Sequence, residues 1–184
     1  MQKNKGIIFT TRQLVFMALM IALSIVLGKF MAINITEMMR ISFENLPIIL
    51  ASVILGPIQG ATVALVADLL GCVLRGYTIN PVITVGAVLL ALIVGFAFKL
   101  IPIKDVFTRL TISILPAHFF ASVVVKTIGL AAFYLSSYNM GVGVLFLLRL
   151  SIYGITAVLE IFIVAAVLRS KPLNSLILKF NKGE

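Results

Sequence analysis

Charged residues are scarce in this sequence. They make up 11% of its 184 residues, whereas 61% of the residues are hydrophobic. A soluble domain is typically about 25% charged and about 45–50% apolar, so this chain has more apolar surface than a soluble core of its size can bury. The composition excludes a soluble enzyme and a disordered tail, and it favours a helical membrane protein with several spans.

Cysteine, histidine and tryptophan are almost absent. The chain has one cysteine, Cys72, one histidine, His118, and no tryptophan. A single cysteine excludes an internal disulfide and a Cys-rich metal site, and a histidine without such companions does not make a metal site. We therefore expect His118 to form a hydrogen bond between helices. The sequence also lacks an internal repeat, the phosphate-binding motif G-x-x-x-x-G-K-[ST] and the metalloprotease motif H-E-x-x-H.

Apolar segments separated by turn residues and charges predict six membrane spans. The spans cover about residues 12–33, 46–55, 61–74, 82–100, 110–135 and 142–168. No small-x-small cleavage site follows the first, which is therefore predicted to remain as a membrane helix. The second and third look too short to cross about 30 Å of hydrocarbon. Short spans are tolerated where they line a cavity, so a site is expected near them, although a tilted or re-entrant packing detail is the alternative.

The basic residues predict the orientation of the chain. If the N-terminus is cytoplasmic, ten of the fifteen Lys and Arg residues lie on the inner side and three on the outer side. This asymmetry is that of the positive-inside rule, so both termini are predicted to be cytoplasmic. The net charge of +9 then reflects topology and does not indicate nucleic-acid binding. Residues 1–184 are predicted to form a single integral-membrane domain with a basic cytoplasmic tail over about residues 169–184.

Five ionisable residues fall inside the predicted spans, where a charge costs a few kcal/mol or more. They are Asp68, His118, Lys126, Arg149 and Glu160. Their positions place Asp68, Lys126 and Arg149 about 10–15 Å below the outer surface, with Arg40 and Arg75 in the loops above. The excess of positive charge predicts a pocket for an anionic ligand that carries carboxylates. The alternative is a structural ion-pair cluster of Asp68 with Lys126 or Arg149.

Aromatic residues lie beside this predicted outer layer and can stack on a flat ring. They are Phe43, Tyr77, Tyr134, Tyr138 and Tyr153. An interfacial aromatic belt explains Tyr134 and Tyr138 equally well. Glu160 is predicted to lie deeper, where it either closes the floor of the pocket or bonds to a neighbouring helix.

Three motifs resemble a known family. They are Arg40-Ile-Ser-Phe-x-x-Leu46-Pro47, Leu55-Gly56-Pro57-x-x-Gly60 and Ala67-Asp68-Leu-Leu-Gly71. They resemble the substrate-binding S components of energy-coupling factor (ECF) vitamin transporters, and above all the folate-specific members. The resemblance is strongest over about residues 40–95. It implies an all-α membrane protein with six transmembrane helices in an S-component-like bundle, in the plasma membrane of a bacterium.

The resemblance also implies a division of labour. The S component captures a vitamin outside with high affinity, while a membrane coupling protein and two ABC-type ATPases supply the energy, so the chain itself is not an enzyme and needs no cofactor. Ala18 and Ala22 match the motif by which the first span docks on the coupling protein, and small residues at this spacing let helices approach closely. Residues 33–45 correspond to a gate loop over the pocket.

The ligand implied by the resemblance is folate or a reduced folate. The family motifs cover Arg40, Phe43 and Asp68, of which Asp68 can accept paired N–H donors of the pterin and Phe43 can stack on a ring. Position and chemistry alone add further candidates for the binding site. These are Arg75, Tyr77, Asn80, Lys126, Tyr138 and Arg149. The cations among them are expected to meet the glutamate carboxylates of folate.

Other functions stay open at this point. The ligand can be another vitamin, such as pantothenate, riboflavin or a related precursor, whereas the absence of tryptophan and the positive charge count against cationic thiamine. A small channel or exporter would need polar residues through both halves of the membrane. An intramembrane enzyme would need His118, Glu160 or Asp68 to converge, and their predicted depths keep His118 and Asp68 apart.

Overall fold

A computed structural model describes residues 9–29, 31–36, 39–134 and 141–170, with the backbone alone for residues 29, 34–36, 39, 40, 133 and 134. The helices are α1 (Thr11–Lys29), α2 (Asn45–Ile54), α3 (Pro57–Arg75), α4 (Pro81–Leu100), α5 (Val106–Ala117), α6 (Lys126–Tyr134) and α7 (Val142–Arg169). A π-helical stretch, His118–Val125, joins α5 to α6 without a break and is called the π segment below. Strands β1 (Ile33–Thr36) and β2 (Met39–Ile41) form an antiparallel hairpin between α1 and α2, in which Ile33 pairs with Ile41.

The helical membrane-protein fold is confirmed, and the hairpin in the predicted gate loop is the departure from it. Within the described residues, five helical stretches are long and apolar enough to cross a membrane, namely α1, α3, α4, α5 to α6, and α7. The second predicted span is α2, whose ten residues are shorter than a crossing. Six crossings therefore stay a prediction. Large apolar side chains cover the outer faces of the long helices, as a lipid environment requires.

The expectation that the third span is short was wrong. Helix α3 has 19 residues because it begins at Pro57, between the second and third predicted spans. Proline suits the first turn of a helix, where its missing N–H has no partner in any case. Gly56, which precedes it, adopts φ +116°, a backbone conformation that L side chains rarely adopt.

Polar side chains start two of the other helices. The side chain of Asn80 accepts hydrogen bonds from the N–H groups of Val82 and Ile83 and so caps α4. Asp105 caps α5 in the same way. Hydrogen bonds from the hydroxyl and then the N–H of Thr108 lower the pKa of Asp105.

Helix α4 lies at the centre of the bundle, where it packs against α2, α3, α5 and the π segment. Its residues Leu90, Ala91 and Val94 are fully buried. Helices α2 and α3 meet at a backbone contact, because a Cβ atom at Gly60 would lie 2.7 Å from the Cα atom of Ser52. The G-P-x-x-G motif therefore combines a helix start with a close helix–helix contact.

We expect Gly60→Ala to lower the stability of the protein. The new methyl group would force α2 away from α3, and overpacking of this kind costs about 1–3 kcal/mol. Thermal unfolding in detergent, followed by size-exclusion chromatography, measures the effect. The matched control is Gly154→Ala in α7, where a Cβ atom would meet nothing within 4 Å. Equal unfolding temperatures for the two variants would contradict the backbone contact.

Candidate ligand-binding site

A polar cavity lies among α1, α2, α3, α4 and α6. Its lining residues are Ser24, Ile25, Glu44, Asn45, Ile48, Ala67, Asp68, Ala87 and Lys126. Its volume of about 20 Å³ is enough for about one water molecule. The cavity brings together two of the predicted site residues, Asp68 and Lys126, from helices that are far apart in the sequence.

Asp68 is held in place by its neighbour on α4. The hydroxyl of Thr84 donates a hydrogen bond of 2.6 Å to Oδ2 of Asp68. Asp68 is half-buried and Thr84 is buried, so this bond fixes the carboxylate at the wall of the cavity. A carboxylate accepts more than one hydrogen bond, so Asp68 can still accept donors from a ligand.

Lys126 brings a positive charge to the same cavity. Its residue is 4% exposed, and it forms no ion pair with any carboxylate of the described residues. Its aliphatic chain crosses α4 at Gly86, where a Cβ atom would lie 2.7 Å from Cγ of Lys126. Gly86 therefore makes room for the lysine side chain, and the ammonium group forms no ion pair although Asp68 and Glu44 line the same cavity.

Three polar residues of the cavity were not predicted as site residues, namely Ser24, Glu44 and Asn45. The hydroxyl of Ser24 donates a hydrogen bond of 2.7 Å to the carbonyl oxygen of Glu44 and so ties the end of the gate to α1. Oδ1 of Asn45 is buried and has no hydrogen-bond partner. A buried polar atom of this kind calls for an explanation, and a ligand or water in the cavity supplies one. The signal in the sequence was a pair of polar residues just before Pro47.

The charge balance of the cavity differs from the predicted excess of positive charge. Its described lining carries two carboxylates, Glu44 and Asp68, and one ammonium group, Lys126. The sequence gives the depth of a charged residue along its helix, but not the side of the helix on which it lies. The lining therefore offers acceptors for hydrogen-bond donors as well as a cation.

Arg75 and Tyr77 lie at the end of α3, outside the residues that line the cavity. Nη2 of Arg75 donates a hydrogen bond of 3.0 Å to the carbonyl oxygen of Gly28, near the end of α1. The guanidinium also lies 5.7 Å from the ring centroid of Tyr77, whose residue is 56% exposed. The hydrogen bond of Arg75 therefore joins the ends of α1 and α3.

Other predicted site residues have contacts of their own. Phe43 is half-buried and packs against the hydrophobic core. Asn80 donates a hydrogen bond of 3.0 Å to the carbonyl oxygen of Gly129, in addition to capping α4. The side chain of Arg40, the whole of Tyr138 and residues 171–184 of the predicted tail lie outside the described residues.

Arg149 points to the π segment and is not among the residues that line the cavity. Arg149 is 6% exposed. Its Nη2 donates hydrogen bonds to the carbonyl oxygen of Ser122 at 2.9 Å and to the hydroxyl of Tyr153 at 3.3 Å. The predicted pairing of Asp68 with Lys126 or Arg149 in a structural ion pair does not form among the described residues.

His118 and Glu160 form a buried contact between helices. Nε2 of His118 lies 2.6 Å from Oε2 of Glu160, and both side chains are almost completely buried. This confirms the expected hydrogen bond of His118 and decides between the two roles considered for Glu160, which bonds to a neighbouring helix. No group of three or more His, Cys, Asp or Glu residues in the described part of the chain could hold a metal ion.

Ala18 and Ala22 lie on an exposed face of α1. Large apolar residues share this helix and are also exposed, among them Val15 and Leu19. The face is therefore free to meet lipid or another membrane helix.

Three comparisons relate the chain to known proteins. A family model described as "ECF-type riboflavin transporter, S component" matches residues 8–171. A crystal structure of FolT bound with folic acid has a similar fold, with a TM-score of 0.70 and 23% identity over 86% of this chain and 93% of that chain. An uncharacterized protein, the MG313 homolog of Mycoplasma pneumoniae, is 37% identical over 65 residues, which are 35% of this chain and 22% of that protein. The match thus spans about a fifth of that relative's length.

We expect Lys126→Met to raise the stability of the protein in the absence of ligand. Methionine has a similar length and removes an ammonium group that forms no ion pair, and replacing buried charged groups by apolar residues often stabilises a protein by up to about 4 kcal/mol. Thermal unfolding measures this, with Lys99→Met on the exposed end of α4 as the control. A lower unfolding temperature for Lys126→Met than for the control would show that the ammonium group stabilises the ligand-free fold.

Proposed function

Because the chain belongs to the family of ECF-type riboflavin transporter S components, we propose that it is the subunit that binds folate, or a reduced folate, at the outer side of the membrane. Its family and fold are those of the substrate-binding component of a transporter and not those of an enzyme. The protein delivers the vitamin inward by docking on a membrane coupling protein that separate ATPases drive.

The shared cavity of Asp68 and Lys126 is the observation that carries the proposal. The edge of a pterin presents an N–H and an amino group side by side, and a carboxylate accepts two parallel hydrogen bonds of this kind. The neighbouring carbonyl oxygen of the pterin accepts a hydrogen bond from an ammonium group. Asp68 and Lys126 therefore meet the same ring system, and the glutamate of folate extends toward the gate, whose strand β2 contains Arg40.

Riboflavin is the second candidate, because the family description names it. The flavin ring presents one N–H between two carbonyl oxygens. A carboxamide matches this pattern better than a carboxylate does, because it both donates and accepts hydrogen bonds. The unpartnered Oδ1 of Asn45 supports this alternative. Asp68 thus favours folate as the ligand, whereas Asn45 favours riboflavin.

Either vitamin requires the cavity to widen. Ligand pockets typically have volumes of about 300–1,000 Å³, whereas this cavity has a volume of about 20 Å³. The gate, residues 33–45, borders the cavity at Glu44. Outward movement of the gate is therefore part of the proposed binding step.

The proposal predicts tight one-to-one binding of folate to the purified protein in detergent without ATP. Isothermal titration calorimetry compares folate with riboflavin, with pantothenate and thiamine as controls. Asp68→Asn should weaken folate binding about 10- to 100-fold, because a hydrogen bond to a charged group contributes about 1.5–3 kcal/mol. Asp105→Asn, outside the cavity, should leave it unchanged.

Other outcomes would change the proposal in defined ways. Tight riboflavin binding that Asp68→Asn leaves unchanged and Asn45→Leu abolishes would replace folate by riboflavin. Folate binding that does not respond to Asp68→Asn would exclude the cavity as the pterin site. Binding of none of the four compounds would contradict the vitamin assignment.

The same proposal covers topology and partners. The protein is a multi-pass protein of the bacterial plasma membrane, with six spans and both termini in the cytoplasm. The family and the exposed position of Ala18 and Ala22 support a transporter complex in which α1 docks on the coupling protein. Two small residues one helical turn apart let a partner helix approach closely.

Replacing Ala18 and Ala22 together by phenylalanine should abolish vitamin uptake and leave vitamin binding unchanged. The larger side chains keep the face apolar but prevent the close approach of a partner helix. Uptake into cells and calorimetry on the purified variant measure the two properties separately. The control is Ala166→Phe, which lies on an exposed position of α7. Normal uptake by the double variant would contradict docking through this face.

A further inference from the structure

The π segment changes the hydrogen-bond ladder just before Lys126. Lys126 donates its backbone N–H to the carbonyl of Ala121, five residues back. When the helix then returns to hydrogen bonds between residues i and i−4, one carbonyl group is left without an N–H partner in its own helix. That carbonyl belongs to Ser122, the residue after Ala121, so it needs a donor from outside its own helix.

Arg149 of α7 supplies this donor. Its Nη2 lies 2.9 Å from the carbonyl oxygen of Ser122. Tyr153, one turn further along α7, holds the guanidinium by its hydroxyl at 3.3 Å and by its ring, whose centroid lies 4.9 Å from Cζ. A charge-assisted hydrogen bond to an otherwise unpaired buried carbonyl is among the stronger contacts that a helix interior offers.

A second contact holds the beginning of the π segment. His118 is its first residue, and its Nε2 lies 2.6 Å from Oε2 of Glu160. On α7, Arg149, Tyr153 and Glu160 follow one another at intervals of four and seven residues and therefore lie on one face. The ring of His118 lies 5.9 Å from that of Tyr153, so the contacts form one continuous stripe along α7.

The π segment determines the direction of Lys126. A hydrogen bond between residues i and i−5 encloses one more residue than the i to i−4 bond of an α-helix does. One additional residue corresponds to a rotation of about 100° around the helix axis. If the segment relaxed to an α-helix, Lys126 would turn by about that angle. Its side chain would then no longer cross α4 at Gly86 to reach the cavity.

We propose that Arg149 and the His118–Glu160 pair are positioning residues, which hold the π segment from α7 and so direct Lys126 into the ligand cavity. This role rests on the proposed function insofar as the cavity binds the vitamin. In this proposal, Arg149 binds the backbone carbonyl of Ser122 and not a carboxylate of the ligand.

The direction of residue 126 can be measured without any ligand. A Cβ atom at residue 86 would lie 2.7 Å from Cγ of Lys126, the position that a cysteine sulfur would take. The double variant Gly86→Cys, Lys126→Cys in a Cys72→Ser background should therefore form a disulfide on oxidation. Adding Arg149→Met should reduce its yield at least about fivefold. Arg149→Lys, which keeps one donor, should restore it, and Ser151→Ala on the exposed face of α7 should have no effect.

A variant pair at the other contact provides an independent measurement. Glu160→Leu should reduce the disulfide yield, and Glu160→Gln, which can still bond to His118, should preserve it. This pair decides the question if Arg149→Met does not fold, as judged by size-exclusion chromatography. An undiminished disulfide in folded Arg149→Met or Glu160→Leu protein would overturn the proposal.

Vitamin binding then separates positioning from direct contact. If Arg149 acts through Lys126, Arg149→Met and Lys126→Met should each weaken binding about tenfold or more, and the double variant no further. Losses that multiply in the double variant would assign Arg149 to the ligand itself and overturn the proposal. The disulfide measurement uses no vitamin, so a failure of the proposed function leaves it decisive.

Discussion

A nearly buried ammonium group that shares a small cavity with carboxylates constrains the helices around it. Lys126 is 4% exposed and forms no ion pair with the described carboxylates, while a bilayer interior supplies no water to solvate it. Helix α4 leaves space for its chain at Gly86. Helix α3 brings Asp68 into the same cavity, and Thr84 of α4 fixes that carboxylate. Helices α3, α4 and α6 thus meet around one polar cavity.

The polar groups between α7 and the π segment are paired, unlike those of the cavity. His118 contacts Glu160, and Arg149 contacts the carbonyl of Ser122, so each has a partner on another helix. Such contacts replace the missing water and also specify how two helices face each other. Both join α7 to the π segment, the part of the bundle where regular α-helical bonding is interrupted. Lys126 follows the π segment directly and lines the cavity, so it connects the two regions.

The sequence predicted the helical segments but not all of their limits. The fourth predicted span begins close to the start of α4, because the Asn80-Pro81 pair marks it by capping and by fixed backbone geometry. Helices α3 and α5 begin before the predicted spans, at Pro57 and Val106, although Pro57 and Asp105 are local start signals of the same kind. The shared location of Asp68 and Lys126 followed from depth along each helix. The contacts of Arg149 did not, because depth leaves the direction around the helix axis open.

The sequence did not predict the π segment either. Pro116 lies inside α5 two residues before it and removes one N–H from the ladder. The missing N–H indicates where regular α-helical hydrogen bonding is interrupted, but it does not specify how the helix continues. Tertiary contacts with α7 decide whether the following hydrogen bonds are of the α-helical or the π-helical type. The close packing of α1, α2 and α3 has a similar origin. A Cβ atom at Gly60 would lie 2.7 Å from the Cα atom of Ser52, and one at Gly28 would lie 2.8 Å from the Cβ atom of Glu44. Each contact joins two different elements, and a local pattern in the sequence does not specify which elements meet.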